Sequence, residues 1–160
     1  MPSRILAGAA LAATLIFLAG VTGGGGGFQL LTTQEYQQEQ SYEASSPTAK
    51  LVPKAADLNA PTITVFKPDP SGPILPPVDI DVRFQAAQGA TVSVGTLKVM
   101  YGFLHLDITS RILGAPGVQV SPAGLTASGA QLPSGSHKLL IQVADNLGRT
   151  ARQPLEFTVK

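Results

Sequence analysis

The sequence predicts an all-β protein, a sandwich of two antiparallel sheets preceded by a hydrophobic N-terminal segment and a spacer. Two observations support this. Residues 61–160 consist of short runs in which apolar and polar residues alternate, and glycine and proline separate the runs. About seven such strands in about 100 residues match a single sandwich domain. Because the chain contains no cysteine, the sandwich must be stable without a disulfide.

The chain divides into three predicted parts: a signal peptide or membrane anchor at 1–23, a hinge, spacer and linker at 24–60, and the sandwich domain at 61–160. In the first part, Ile5 to Val21 is an uncharged run of apolar and small residues that follows Arg4. The run is long for a signal peptide and short for a membrane span, so both a cleaved signal and a retained anchor fit it. With either, we expect the domain to be exported.

The spacer begins with the five glycines of Gly23 to Gly27, which predict a hinge. In residues 28–44, which are rich in Gln and Glu, Thr32-x-x-Glu35 has the spacing of a capping box and predicts a short helix from about Thr33 to Glu43. Its apolar residues are few for a core-facing stripe. We therefore expect a solvated spacer, with a helix that docks onto the domain as the alternative. We also expect 61–160 to fold without it.

Alternating runs predict the strands of the sandwich in order. They are Thr62–Lys67, Val78–Ala86, Thr96–Tyr101, Phe103–Thr109, Val118–Val120, Leu125–Leu132, a central strand from His137 to Ala144, and Ala151–Val159. Between the first two, Pro68 to Pro77 contains five prolines and predicts a rigid extended crossing. In the fourth run, Leu104, Leu106 and Ile108 are expected to be available to the core.

The central strand and the turn that follows it organise the domain. His137, Leu139, Ile141 and Val143 share one face of this strand, so that face is predicted to be core and to lie opposite the strand at Val78–Ala86. The cluster Asp145-Asn146-Leu147-Gly148 favours a tight turn, after which the last strand runs back as the second arm of a hairpin.

The pattern runs from Leu132-x-x-Gly135-x-His137 through Asp145-x-x-Gly148-Arg149 to Phe157-x-Val159. It resembles the last two strands of bacterial immunoglobulin-like or fibronectin III-like domains of exported proteins. The run from Thr96 to Gly102 with Asp107-Ile108-Thr109 resembles the middle hairpin of the same domains. The resemblance implies an immunoglobulin-like sandwich. The chain departs from it in lacking tryptophan and a cysteine pair, and in carrying Arg149 where these domains most often have asparagine. Such a resemblance implies a fold rather than a task.

Composition argues against several classes of function. The chain has 11 Lys and Arg against 10 Asp and Glu, so no long-range field favours nucleic acid. The absence of cysteine excludes thiolate metal sites and a cysteine nucleophile, and no serine-hydrolase, zinc-protease or phosphate-loop motif is present. We therefore expect no enzyme, no cofactor and no catalytic, cofactor-binding or metal-binding residues.

His105 and His137 are the only histidines. His137 stands two residues after Gly135 at the start of the central strand, where the resemblance places a tyrosine whose hydroxyl anchors the preceding corner. We therefore expect a structural role for His137, the anchoring of that corner.

A hard cation would use oxygen ligands, and the candidates are Asp79, Asp81, Asp107, Asp145 and Asn146. Strand-face solvation explains the first two and turn chemistry the last two, although the sequence leaves open whether Asp79, Asp81 or Asp145 binds a cation. Asp107 and Arg111 flank a short loop and predict a local charge pair or a cap.

The predicted function is an exported, non-enzymatic module for protein binding or scaffolding at the bacterial cell envelope, in the periplasm or on the cell surface. The alternative is a carbohydrate-binding or cation-dependent adhesive module. Membrane contact is expected only through residues 5–21, as an inner-membrane anchor, if the signal is uncleaved. Aromatic residues are too scarce for a sugar-stacking face, whereas an exposed sheet edge can add a strand from another chain.

Overall fold

The computed structural model describes residues 27–46 and 58–160. The predicted signal or anchor at 1–23, most of the glycine run and linker residues 47–57 lie outside the described residues, so the two alternatives for residues 5–21 stay predictions. Within the described ranges, no helix is long and apolar enough to cross a membrane.

Nine strands and two helices follow one another along these ranges. They are β1 (Phe28–Gln29), α1 (Thr33–Ser45), β2 (Thr62–Lys67), β3 (Val78–Gln85), β4 (Val92–Tyr101), β5 (Leu106–Asp107), α2 (Thr109–Leu113), β6 (Gln119–Ser121), β7 (Gly124–Gln131), β8 (Gly135–Asp145) and β9 (Thr150–Val159). The first sheet has the order β1-β7-β3-β2, with β6 also paired to β7, and the second has the order β5-β4-β8-β9. The predicted all-β sandwich is confirmed.

The apolar faces of the two sheets share one core. The alternating residues of β3 (Val78, Ile80, Val82 and Phe84) and of β8 (His137, Leu139, Ile141 and Val143) are buried. These two strands lie in opposite sheets, as the periodicity predicts. Each buried aliphatic or aromatic side chain contributes roughly 1.5–3 kcal/mol relative to an exposed one, which makes this face the main source of stability.

The β8–β9 hairpin has the predicted turn. The two strands pair from Gly135↔Val159 to Ala144↔Thr150, and Gly148 in the turn has a φ of 78°. A β-carbon makes such a positive φ costly, which explains why glycine occupies this position. The cluster of turn-forming residues therefore sets the register of the central hairpin.

The proline-rich segment between β2 and β3 makes a detour to the other sheet. At Ile74 it bridges β9: the Ile74 N–H donates to the Thr158 carbonyl at 2.8 Å, and the Lys160 N–H donates to the Ile74 carbonyl at 2.9 Å. The predicted extended crossing is thus a strap across the end of β9, although β2 and β3 are themselves neighbours in the first sheet.

The predicted strand Phe103–Thr109 is wrong in extent. Only Leu106–Asp107 forms strand β5, a short helix α2 follows it, and Leu104 is 47% exposed rather than available to the core. The physical reason lies outside the segment: the N–H groups of Phe103 and Leu104 donate to the Glu39 carboxylate instead of to a neighbouring strand.

The expectation of a solvated spacer at 28–44 is also wrong. Leu30 and Leu31 are 0% and 1% exposed and belong to the same core as the two sheets, and Phe28 is buried beside them. β1 pairs in parallel with the end of β7, at Phe28↔Ala130 and Gln29↔Gln131. Most of the apolar residues that dock the segment precede the helix, and within the helix Tyr36 packs against the core.

Helix α1 begins with the predicted capping box. The Thr32 hydroxyl accepts from the Glu35 N–H, while the Glu35 carboxylate accepts from the Thr32 N–H. Glu35, Glu39 and Glu43 are spaced by four residues and therefore line one face of the helix. That face docks through carboxylates: Glu35 on Arg111, Glu39 on the N–H groups that follow Gly102, and Glu43 on Lys138.

Candidate functional site at the edge of strand β2

His137, for which the sequence predicts a structural role, is buried, and both of its ring nitrogens have hydrogen-bond partners. Its ring is 1% exposed, Nε2 lies 2.8 Å from the Pro133 carbonyl and Nδ1 lies 2.9 Å from the Tyr101 hydroxyl. Because a carbonyl can only accept, Nε2 carries the proton and Nδ1 accepts from Tyr101. Burial lowers the pKa of His137, against the opposing effect of its bond to Pro133. The predicted anchoring of the corner is confirmed.

Tyr36 is a partner of His137 that sequence reasoning missed. Its ring centroid lies 5.2 Å from that of His137, and a β-carbon at Gly135 would fall 1.8 Å from its hydroxyl. The imidazole thus lies against helix α1, and both of its nitrogens are bonded within the protein. His105, the second histidine, is exposed in the β4–β5 loop at a φ of 51°. The structure does not bring the two histidines together as a site.

The candidate cation ligands are dispersed, and each contacts a protein group. Asp79 pairs with Lys67 and Asp81 with Arg83; Asp107 accepts from the Thr109 N–H; Asn146 accepts from the Thr91 N–H; Asp145 accepts from the Leu147 and Arg149 N–H groups and from the Arg149 guanidinium. Although burial of Asp145 opposes it, the bonds from Arg149 and Leu147 hold its pKa below its usual range. In residues 27–46 and 58–160, no group of three His, Cys, Asp or Glu side chains could hold a metal ion.

The predicted local pair between Asp107 and Arg111 is wrong. The Asp107 carboxylate accepts from the Thr109 N–H at 2.9 Å, while Ile108, the N-cap residue of α2, makes no side-chain cap. Arg111 donates to Glu35 with both terminal guanidinium nitrogens, at 2.5 and 2.8 Å. The hydrogen bonds from Arg111 lower the pKa of Glu35 to about 2. The sequence predicted a pair between Arg111 and Asp107, the acid nearest to it along the chain. The docked helix α1 instead places Glu35 within hydrogen-bonding distance of Arg111.

The candidate side chains are thus held in hydrogen bonds and ion pairs within the protein. The backbone edges of the two sheets are further groups that a partner can bind. The outer edge of β7 is covered by β6 at residues 124–126 and by β1 at residues 130 and 131. The edge of β4 is paired with β5 near its end, and its ladder with β8 is irregular between Ser93 and Lys98. Covering strands and irregular ladders both protect an edge from further pairing.

The edge of β9 is protected in a different way. Thr158 and Lys160 direct their bonding groups away from β8, toward Ile74, so Pro154 and Glu156 face outward as well, by the alternation of an antiparallel ladder. Proline has no N–H at that outward position, and its carbonyl accepts from the Gln153 side chain at 3.0 Å. Strand addition to the middle of β9 is therefore blocked.

Strand β2 lacks these protections over its first four residues. The Phe84 N–H donates to Ala123 on the β7 side, so Ile63, the partner of Phe84 in the register, directs its N–H and carbonyl away from β3. Val65, two residues on, does the same. Among the described residues, no strand pairs with this edge, and the ladder becomes irregular only after Val65.

A groove of about 480 Å³ lies beside this edge. Its residues are Ile63, Thr64 and Val65 on one side, Gln153, Pro154, Leu155 and Glu156 on the other, and Pro70 from the strap. Within residues 27–46 and 58–160, the outward backbone groups of Ile63 and Val65 on one wall have no backbone partner, and the other wall is the proline-bearing edge of β9. An extended segment could bond to β2 alone in this groove, which defines it as a candidate site for strand addition.

No family model matches the chain, and no curated protein matches it. Among solved structures, the crystal structure of CopC from Methylosinus trichosporium OB3b is similar over 51% of this chain and 74% of that chain, with 20% identity and a TM-score of 0.33. A similarity of this size carries no inference about what the present chain binds.

Proposed function

We propose that this chain is an exported, non-enzymatic β-sandwich module that binds a protein partner at the cell envelope by adding a strand of that partner to β2. The observation that carries the proposal is the contrast between edges. The edges of β7, β4 and β9 are covered, irregular or blocked by proline, whereas Ile63 and Val65 present bonding groups to an open groove.

Two further observations support the proposal. The uncharged run Ile5 to Val21 after Arg4 is typical of an export signal. Both nitrogens of the buried imidazole of His137 are occupied by Tyr101 and Pro133, which leaves it no proton to exchange with a substrate. A binding role uses the outward backbone groups of Ile63 and Val65, which no strand of the described ranges covers.

Strand addition fits the chemistry of the groove. Backbone hydrogen bonds each contribute about 0.5–1.5 kcal/mol net, so a short edge gives modest affinity that side chains must supplement. Thr62, Thr64 and Phe66 are exposed on the solvent face of β2, with Phe66 60% exposed, and offer β-branched and aromatic contacts to a neighbouring strand. A partner segment with alternating apolar residues matches both faces.

The test uses a proline that removes one outward N–H. Val65→Pro should leave the fold intact, because this N–H faces away from β3, and proline is tolerated at such edge positions. A photo-crosslinker at Thr64 in cells identifies the partner, and one at Arg152 on the β9 edge is the positional control. With the identified partner purified, we expect Val65→Pro to abolish binding and the matched variant Val65→Ala, which keeps the N–H, to retain most of it.

Retained binding in Val65→Pro would overturn strand addition at β2. The same protein serves to test the alternative function, a carbohydrate-binding or cation-dependent adhesive module. Saturable binding of calcium or of a glycan that Val65→Pro leaves unchanged would favour that alternative.

A further inference from the structure

We infer that the strand which β2 accepts is β2 of a second copy of this chain, antiparallel to the first and centred on Thr64. This inference rests on the proposed function, since it names the partner of the same edge. It follows from the register of β2 against β3 and from the side chains that this register places on each face.

The backbone groups of β2 are arranged for self-pairing. Ile63 and Val65 direct their N–H and carbonyl groups outward, and Thr64 between them bonds toward β3. In an antiparallel pair centred on Thr64, Ile63 of one copy lies opposite Val65 of the other. Each such pair exchanges both backbone hydrogen bonds, and the outward groups of both residues are then satisfied.

The side chains match in the same register. On the core face, Ile63 meets Val65, two β-branched apolar residues. On the solvent face, Thr64 meets Thr64 at the symmetry axis, and the regular register extends as far as Val65, after which the ladder of β2 with β3 is irregular. Pairs of threonines are among the favourable cross-strand pairs.

Charge and symmetry favour a second copy over a different partner. Residues 62–66 contain no charged side chain, so the pairing brings no like charges together. A twofold pair uses one patch on both copies and closes on itself, so the open part of β2 is used up in both copies. The product is a closed dimer with one sheet continuous through both copies.

The test uses cysteines, because the full-length chain contains none of its own. Residues facing each other at a non-hydrogen-bonded pair have Cα atoms about 4.5 Å apart, within the range a disulfide spans. Under copper phenanthroline, purified full-length Thr64→Cys should therefore form a disulfide-linked dimer. Thr62→Cys, on the same face of the same strand, is the matched control, since its two copies would lie roughly 13 Å apart along the strand.

A mixture tests the register. Ile63→Cys and Val65→Cys should each stay monomeric alone and should form a mixed disulfide when combined, because these positions face each other across the axis. In sedimentation velocity of the full-length chain without cysteines, Thr64→Glu should raise the dimer dissociation constant about tenfold or more by setting two carboxylates face to face. Thr64→Ser should leave it within about twofold.

The outcomes separate the inference from the proposed function. Thr64→Cys that stays monomeric, or that links no better than Thr62→Cys, overturns the self-pairing. If Val65→Pro then still abolishes binding of a different protein identified from Thr64, strand addition at β2 stands with another partner. If Thr64→Cys stays monomeric and Val65→Pro also leaves the binding of the other protein unchanged, both the self-pairing and strand addition at β2 are overturned.

Discussion

The hydroxyl of Tyr101 donates a hydrogen bond of 2.9 Å to Nδ1 of His137, and it does so inside the core, where both residues are at most 2% exposed. The bond joins the end of β4 to the start of β8, and the opposite nitrogen of His137 holds the corner at Pro133. Burial raises the pKa of Tyr101, with nearby Tyr36, Glu39 and Glu43 adding to the shift, so the hydroxyl remains a donor. The buried hydrogen bonds from Tyr101 to His137 and from His137 to Pro133 therefore join strands that usually meet through apolar contacts alone.

Tyr101→Phe should lower the free energy of unfolding by about 1–3 kcal/mol, because Nδ1 of His137 loses its buried donor while the ring volume is kept. Chemical denaturation measures the change. Tyr42→Phe, at a side chain on helix α1 that is 40% exposed, is the control and should be nearly neutral. Equal effects of the two substitutions would show that the bond is not a significant source of stability.

The free energy of unfolding should fall as pH is lowered from about 7 toward 5. Burial lowers the pKa of His137 in the folded chain, so in this window the unfolded chain, in which histidine has its ordinary pKa of 6.5, binds more protons than the folded chain. Proton uptake by the unfolded state destabilises the fold as pH falls. Denaturation at a series of pH values measures this slope.

His137→Gln should be less stable at neutral pH and should lose most of the slope between pH 7 and 5. His105→Gln, at an exposed position, should keep the slope of the wild type. An unchanged slope in His137→Gln would mean that other groups govern stability in this range.

Glu39→Ala should lower the free energy of unfolding by about 1.5–3 kcal/mol, the range for hydrogen bonds to a charged group. Glu39 is 4% exposed and accepts from the Phe103 and Leu104 N–H groups, which lose their acceptor on substitution. Gln38→Ala, exposed on the same helix, controls for helix propensity and should stay within about 0.5 kcal/mol. Comparable losses from both would place the effect in the helix rather than in the contact.

Removal of residues 1–46 should abolish a sharp thermal transition, whereas removal of residues 1–26 should preserve it. The docked segment buries Phe28, Leu30 and Leu31, which contribute roughly 5–9 kcal/mol as an upper estimate, a large fraction of the 5–15 kcal/mol of a typical domain. This reverses the expectation that 61–160 folds by itself. A cooperative transition of undiminished midpoint in the shorter fragment would contradict the packing of the segment.

The sequence by itself determined the sandwich, its strand order along the chain, the β8–β9 hairpin and the capping box of helix α1. These features depend on local signals: period-two alternation, turn residues such as Gly148, and the Thr32 and Glu35 pair. The anchoring role of His137 was also predicted, but through the resemblance to bacterial immunoglobulin-like domains, which place a corner-anchoring tyrosine at this position.

Only the tertiary structure decided what the N-terminal segment does and which edge is free. Leu30 and Leu31 are two apolar residues in a polar stretch, and no local period shows that they enter a core formed by strands far along the chain. Arg111 is distant in sequence from Glu35, its partner, and an edge is open only when every other strand has been placed. Contacts of long sequence separation fix these features, so the candidate site at Ile63 and Val65 could not be predicted from the alternation of β2 alone.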